Sequence, residues 1–191
     1  MAMARALLWR RLDMVGTDLA LFDDGGAALS VRGVAIAAEP EPHSCRYGAT
    51  TGDGFATRLL DVTAEGAAWT RRLRLERDAG GAWHASAEGA GVAGVDTAAL
   101  AGALDVDVEA TAFTNTLPIR RLGLLDAAPG SRHTIVAAWV RVPSLAVVRA
   151  EQTYTVLGGG RIRYTQGTFE ADLSVDEAGV VTHYPGYATL V

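Results

Sequence analysis

Residues 104–122 read LDVDVEATAFTNTLPIRRL, and their pattern changes halfway along. Leu104, Val106, Val108 and Ala110 alternate with Asp105, Asp107, Glu109 and Thr111, the period of two expected of a half-buried β-strand with one acidic face. The chain is expected to leave that strand at Thr114 and Asn115, whose short side chains bond readily to nearby backbone, and Pro118 disfavours helix at Leu117. Arg120 and Arg121 follow directly. Two guanidiniums beside an acidic strand face form either an ion-pair lock on the turn or the polar rim of a ligand site, and the residues alone leave both open.

The flanking sequence carries the same period. Strands are expected at 7–15, 17–22 and 27–37 before the extended Glu39-Pro40-Glu41-Pro42 connection, then at 45–47, 55–63, 69–77 and 83–88. Beyond the central segment, strands are expected at 133–142, 145–157, 161–166, 168–175 and 180–184. Glycine-rich turns separate them at Asp23-Asp24-Gly25-Gly26, Asp78-Ala79-Gly80-Gly81, Gly158-Gly159-Gly160 and Asp176-Glu177-Ala178-Gly179. Such turns supply the backbone of tight hairpins. The helical candidate is residues 96–103, with Asp96 as N-cap, read as one short helix or a loop. The expected fold is therefore all-β: an antiparallel, strongly curved sheet forming a closed or half-closed barrel, with at most one or two short helices, in a single domain over residues 1–191.

Composition narrows the chemistry. The chain has 191 residues and a formal charge of -5. With no basic run it lacks the positive stripe a nucleic-acid surface needs. All 17 basic residues are arginine. The absence of lysine excludes Schiff-base catalysis, pyridoxal phosphate attachment and a P-loop. The lone Cys45 cannot form an internal disulfide, and the apolar run 6–9 is short for a signal peptide, so a cytoplasmic location is expected. No apolar run reaches the ~20 residues of a helical membrane span, so no integral membrane association is expected.

Other motifs are better read as ordinary structure. Gly89-x-Gly91-x-x-Gly94 fits the dinucleotide fingerprint, but hairpins flank it where a long crossover helix is required, so a plain loop is expected. His43, His84, His133 and His183 have no metal-ligand spacing, and Ser131 near His133 is not in a nucleophile elbow. Neither metal nor cofactor is expected.

The run DVDVEATAFTNTLPIRRL closely resembles the signature of the "putative glycolipid-binding" family, a group of bacterial single-domain β proteins similar in fold to periplasmic lipoprotein carriers. Weaker likenesses at AAWTRRLRL (67–75), EQTYTVL (151–157) and FEADLSVDEAGVVTHYPG (169–186) extend it over most of the chain. The resemblance implies a curved β-fold and a lipid or glycolipid ligand. The expected function is non-enzymatic binding of an amphipathic ligand, such as a glycolipid or acyl chain, in the concave interior. Candidate ligand-binding residues are Asp105, Asp107, Thr114, Asn115, Arg120, Arg121, Gln152, Tyr154, Tyr164 and His183. An alternative is an enzyme acting on a small polar or sugar-like substrate, with Asp105, Asp107 and His183 as acid and base. A third reading is a structural or interaction protein with a filled interior. The expected assembly is a monomer or homodimer.

Overall fold

The computed structural model describes residues 3–191. Seven strands come from the first half of the chain: β1 (Met3–Arg11), β2 (Gly16–Asp24), β3 (Leu29–Ala37), β4 (His43–Thr51), β5 (Thr57–Gly66), β6 (Trp69–Arg77) and β7 (Trp83–Gly89). Seven come from the second: β8 (Asp105–Val108), β9 (Arg132–Val140), β10 (Val147–Gly158), β11 (Arg161–Gln166), β12 (Phe169–Val175), β13 (Val181–Tyr184) and β14 (Ala188–Leu190). Their order in the single sheet is β7-β6-β5-β4-β3-β2-β1-β14-β13-β12-β11-β10-β9-β8. Strands β1–β7 and β9–β14 thus each form a meander, and the terminal strands join the two through the pairs Trp9–Leu190 and Arg11–Ala188.

The hydrogen-bonded ladder has two free edges, β7 and β8, which are consecutive in the chain. The strap between them, residues 90–104, is tied by the Trp83 indole donating to the Ala103 carbonyl at 3.1 Å and by Thr57 N donating to the Leu104 carbonyl at 2.8 Å. From β6, Arg71 Nη1 reaches the Pro143 carbonyl in the β9–β10 turn at 3.1 Å. Opposite ends of the sheet therefore meet across its concave side without strand pairing, and the barrel is half-closed.

Inward-facing positions follow the pleat. In β2, Asp18, Ala20 and Phe22 are buried while Leu19 and Leu21 face out. The concave space is filled by the segment after β8, in which a 3-10 turn (Phe113–Asn115) leads into α1 (Thr116–Arg121). Phe113, Leu117, Ile119 and Leu124 are fully or almost fully buried, and the Phe113 ring lies 5.2 Å from that of Phe22. This segment is a plug. Among the described residues, α1 is the only α-helix.

Several local expectations change. Pro118 was expected to keep Leu117 out of helix, yet both lie in α1. Pro118 is the third residue of α1, where a backbone N–H has no intrahelical acceptor, so its missing donor costs little. The acidic face of β8 is not wet: Asp105 is buried and Asp107 half-buried, because α1 and the walls of the barrel cover that face. β8 also pairs parallel with β9, in a sheet otherwise antiparallel. The helical candidate shortens to a 3-10 turn at Ala98–Leu100, with Asp96 Oδ1 accepting from Ala99 N at 3.2 Å. The three-residue β14 is too short to show a period.

The plug makes a direct prediction. Phe113→Ala leaves a cavity where sheet and plug meet and is expected to cost about 3–5 kcal/mol in urea unfolding. A loss below about 1 kcal/mol would mean that the plug is not part of the cooperative core.

Candidate functional site

The plug is held by its polar groups. Thr111, where the chain turns off β8, donates from Oγ1 to Asp18 Oδ2 at 2.5 Å and accepts from Phe113 N at 3.0 Å. Tyr47 donates to the other oxygen of Asp18 at 2.8 Å. The Tyr47 ring passes over Gly33 so closely that a Cβ there would collide with it, which accounts for glycine in mid-strand. Asp18 is thus a buried carboxylate held by two hydroxyls. Loss of hydration pushes its pKa up to about 6, against the pull of the Thr111 and Tyr47 bonds.

Beyond the turn, the Asn115 amide oxygen accepts from Tyr154 Oη at 3.0 Å. Arg120 pairs with Asp24 at 2.8 Å, donates to the Ala178 carbonyl at 3.1 Å and lies 4.7 Å from the Phe55 ring centroid. Arg121 grips Asp105 with contacts of 2.6 and 3.1 Å. Both arginines are locks on the plug. A buried charge must be paired, and these pairs satisfy that demand.

At one end of the plug a cavity of about 360 Å³ stays open. Its polar floor is Asp107, Glu109, Thr111 and Asn115, and its walls carry Trp139 from β9, Tyr164 and Gln166 from β11, Phe169 from β12, Tyr184 from β13 and Tyr187. The Tyr164 ring packs 6.1 Å from Phe169 and 6.2 Å from Tyr184, and Tyr184 lies 4.9 Å from Tyr187. Edge-to-face contacts of Tyr164 with its two neighbours and the tilted Tyr184–Tyr187 pair fix the rings as rigid walls. Two wall rings also carry guanidiniums: that of Arg141 sits 4.5 Å from the Trp139 ring centroid and that of Arg11 4.2 Å from Tyr187.

Asp107 is the central polar group. Thr114 Oγ1 donates to its Oδ1 at 3.1 Å and Gln152 Nε2 to its Oδ2 at 2.6 Å. Desolvation raises its pKa, the Gln152 and Thr114 bonds oppose the rise, and the nearby Glu109 charge adds to it. Gln152 also meets Gln166 Oε1 at 3.3 Å, and the Tyr164 hydroxyl donates to that same oxygen. Burial and the Asp107 charge raise the pKa values of Tyr164 and Tyr184, so their phenols stay neutral.

Of the candidate residues, Asp107, Asn115 and Tyr164 line the cavity, and Thr114, Gln152 and Tyr154 support them from behind. Asp105, Arg120 and Arg121 are taken up in plug ion pairs, and His183 is exposed on the outer face opposite Ser174 and Thr189. The acid-base set Asp105, Asp107 and His183 is therefore not assembled. Sequence reasoning put Glu109 and Thr111 on the Asp107 face without counting them as candidates, and it missed Trp139, Gln166, Phe169, Tyr184, Tyr187 and Asp18. A signal existed for two: Gln166 and Phe169 flank the Gly167 turn and pair directly, so they share a face with Tyr164. Cys45 is buried, its thiol pushed up to about 12 by desolvation, which suits a core residue. Among the described residues no cluster of three or more His, Cys, Asp or Glu side chains could hold a metal, and no helix is long and apolar enough to cross a membrane.

The model of the family described as "Putative glycolipid-binding" matches residues 6–189. The chain is also similar to a solved structure, a DUF1089 family protein from Pseudomonas aeruginosa, with 29% sequence identity and a TM-score of 0.71 over 88% of this chain and 89% of that one. No curated protein matches.

The Asp18 cluster carries a pH prediction. Because its folded pKa of about 6 lies above the unfolded 3.8, the native state binds the extra proton between these values, and this contribution to stability falls as pH rises through that window. The difference in unfolding free energy, wild type minus Asp18→Asn, is expected to drop by up to about 3 kcal/mol from roughly pH 4 to pH 7. A difference independent of pH would contradict the assignment.

Proposed function

The chain belongs to the putative glycolipid-binding family, and on that premise we propose that it binds the saccharide head of an amphipathic ligand in the aromatic pocket at the end of the plug. The observation that carries this reading is the juxtaposition of flat aromatic walls with a hydrogen-bonding floor. The C–H faces of a pyranose ring pack against rings such as Trp139 and Tyr164, while its hydroxyls exchange bonds with Asp107, Asn115 and Gln166. The volume lies at the lower end of the ~300–1,000 Å³ usual for ligand pockets, which suits a head of one or two sugar rings.

The plug takes up most of the concave interior expected to hold the ligand and leaves this cavity open, so the apolar tail needs another route. Phe169 is 49% exposed and Val148 45% exposed, and Val148 pairs across strands with Trp139. These side chains form an apolar lip on the pocket's own face. A tail leaving over the lip stays amphipathic in its contacts, with the first few methylenes sheltered and the rest outside.

Calorimetric titration with butyl, hexyl and octyl glucosides tests the reading. Affinity is expected to rise by up to about 0.8 kcal/mol per methylene over the first few carbons and then level off beyond the lip. Trp139→Ala is expected to weaken every member at least about tenfold, or ~1.4 kcal/mol. Absence of glucoside binding, or equal binding by the variant, would remove the proposal.

A further inference from the structure

The distribution of charge around the pocket identifies the kind of head group it takes. Resting on the saccharide reading above, we infer that the ligand's head bears a positive charge, as in an amino sugar, with its ammonium seated against Asp107 and the rings around it. None of the residues lining the cavity is Arg, Lys or His, and its two charged members, Asp107 and Glu109, are both carboxylates.

The neighbouring acids already have cations. Asp105 has Arg121, Asp24 has Arg120, and Glu109 is bound by Arg141 Nε at 3.1 Å and by Val142 N at 2.9 Å. Asp107 differs. Its two oxygens receive one neutral donor each, from Thr114 and Gln152, and it takes part in no ion pair among the described residues. An ionised carboxylate at low dielectric without a cation is costly, and a carboxylate has room for about four donors. The free acceptor capacity belongs to a side chain that borders the open cavity.

The surroundings favour the same sign. Asp107 is faced by Glu109 from its own segment, Tyr154 from β10, Tyr164 from β11, Tyr184 from β13 and Tyr187 beyond it, a set with no cation. The negative π faces of Tyr164 and Tyr184 attract an ammonium and repel an anion, while one face each of Trp139 and Tyr187 already carries the Arg141 or Arg11 guanidinium. A phosphorylated or uronic-acid head would meet Asp107, which has no guanidinium partner, beside Glu109, whose charge is already taken up by Arg141.

Three probes of one shape separate the possibilities: octyl glucosaminide with a free amine, octyl glucoside and octyl glucuronide, titrated into the intact protein below the amine's pKa and below their micelle concentrations. The glucosaminide is expected to bind at least about tenfold tighter than the glucoside, and the glucuronide not measurably. Asp107→Asn should bring the glucosaminide-to-glucoside ratio close to one. Glucoside binding as tight as glucosaminide, or any preference for the glucuronide, overturns the inference while leaving the saccharide pocket in place. Failure of all three to bind overturns both. The panel is read on the wild-type protein, so the outcome does not depend on the variant folding.

Discussion

A sheet of fourteen strands bent into a half-closed barrel encloses more space than its own inward side chains fill, and the molecule depends on how that space is occupied. Residues 111–124 enter it as a plug, bringing apolar bulk in Phe113, Leu117, Ile119 and Leu124 together with backbone and polar groups that must not go unpaired. The partners are spread around the barrel wall: Asp18 on β2 and Tyr47 on β4 for Thr111, Tyr154 on β10 for Asn115, Asp105 on β8 for Arg121. Each fixes the plug to a different part of the sheet. The open cavity is the volume left over where the plug stops short of β11, β12 and β13.

The sequence reveals the frame because strand alternation and glycine-rich turns are local properties. Residues 69–77 and 161–166 emerge with the boundaries of β6 and β11. The importance of the 104–122 run was legible too, but its role was not. Alternation assigns Asp105 and Asp107 to one face without saying whether that face meets water, since burial there depends on α1 folding back over it. Asp18 is hidden by the same limit: in Asp18-Leu19-Ala20-Leu21-Phe22 both faces carry apolar residues, so parity does not settle which one points inward. The aromatic wall escapes for another reason. Trp139, Tyr164 and Tyr184 lie far apart in sequence and meet only through register across β9 to β13.

This arrangement separates two duties that the central run combines in one dimension. Its arginines act inward as locks, with Arg120 and Arg121 committed to acids and outside the cavity lining. Asp107, Asn115 and Thr111 act at the boundary, where plug atoms are also pocket atoms. Stability and the proposed recognition therefore share residues. Substitutions in the run are expected to act on both, whereas Trp139 and Phe169 belong to the cavity wall and are expected to bear mainly on the proposed binding.

The central claim is that ligand enters the aromatic pocket and leaves the barrel interior undisturbed. The chain's four tryptophans report on it separately, since the Trp9 and Trp83 indoles bond to the Val181 and Ala103 carbonyls in the interior, the Trp69 indole bonds to Glu41, and Trp139 lines the pocket. In a two-dimensional nitrogen–proton spectrum titrated with octyl glucosaminide, the Trp139 indole resonance should move with saturable dependence while those of Trp9 and Trp83 stay fixed. Movement of Trp9 or Trp83 with Trp139 unchanged would place the ligand inside the barrel and contradict the account.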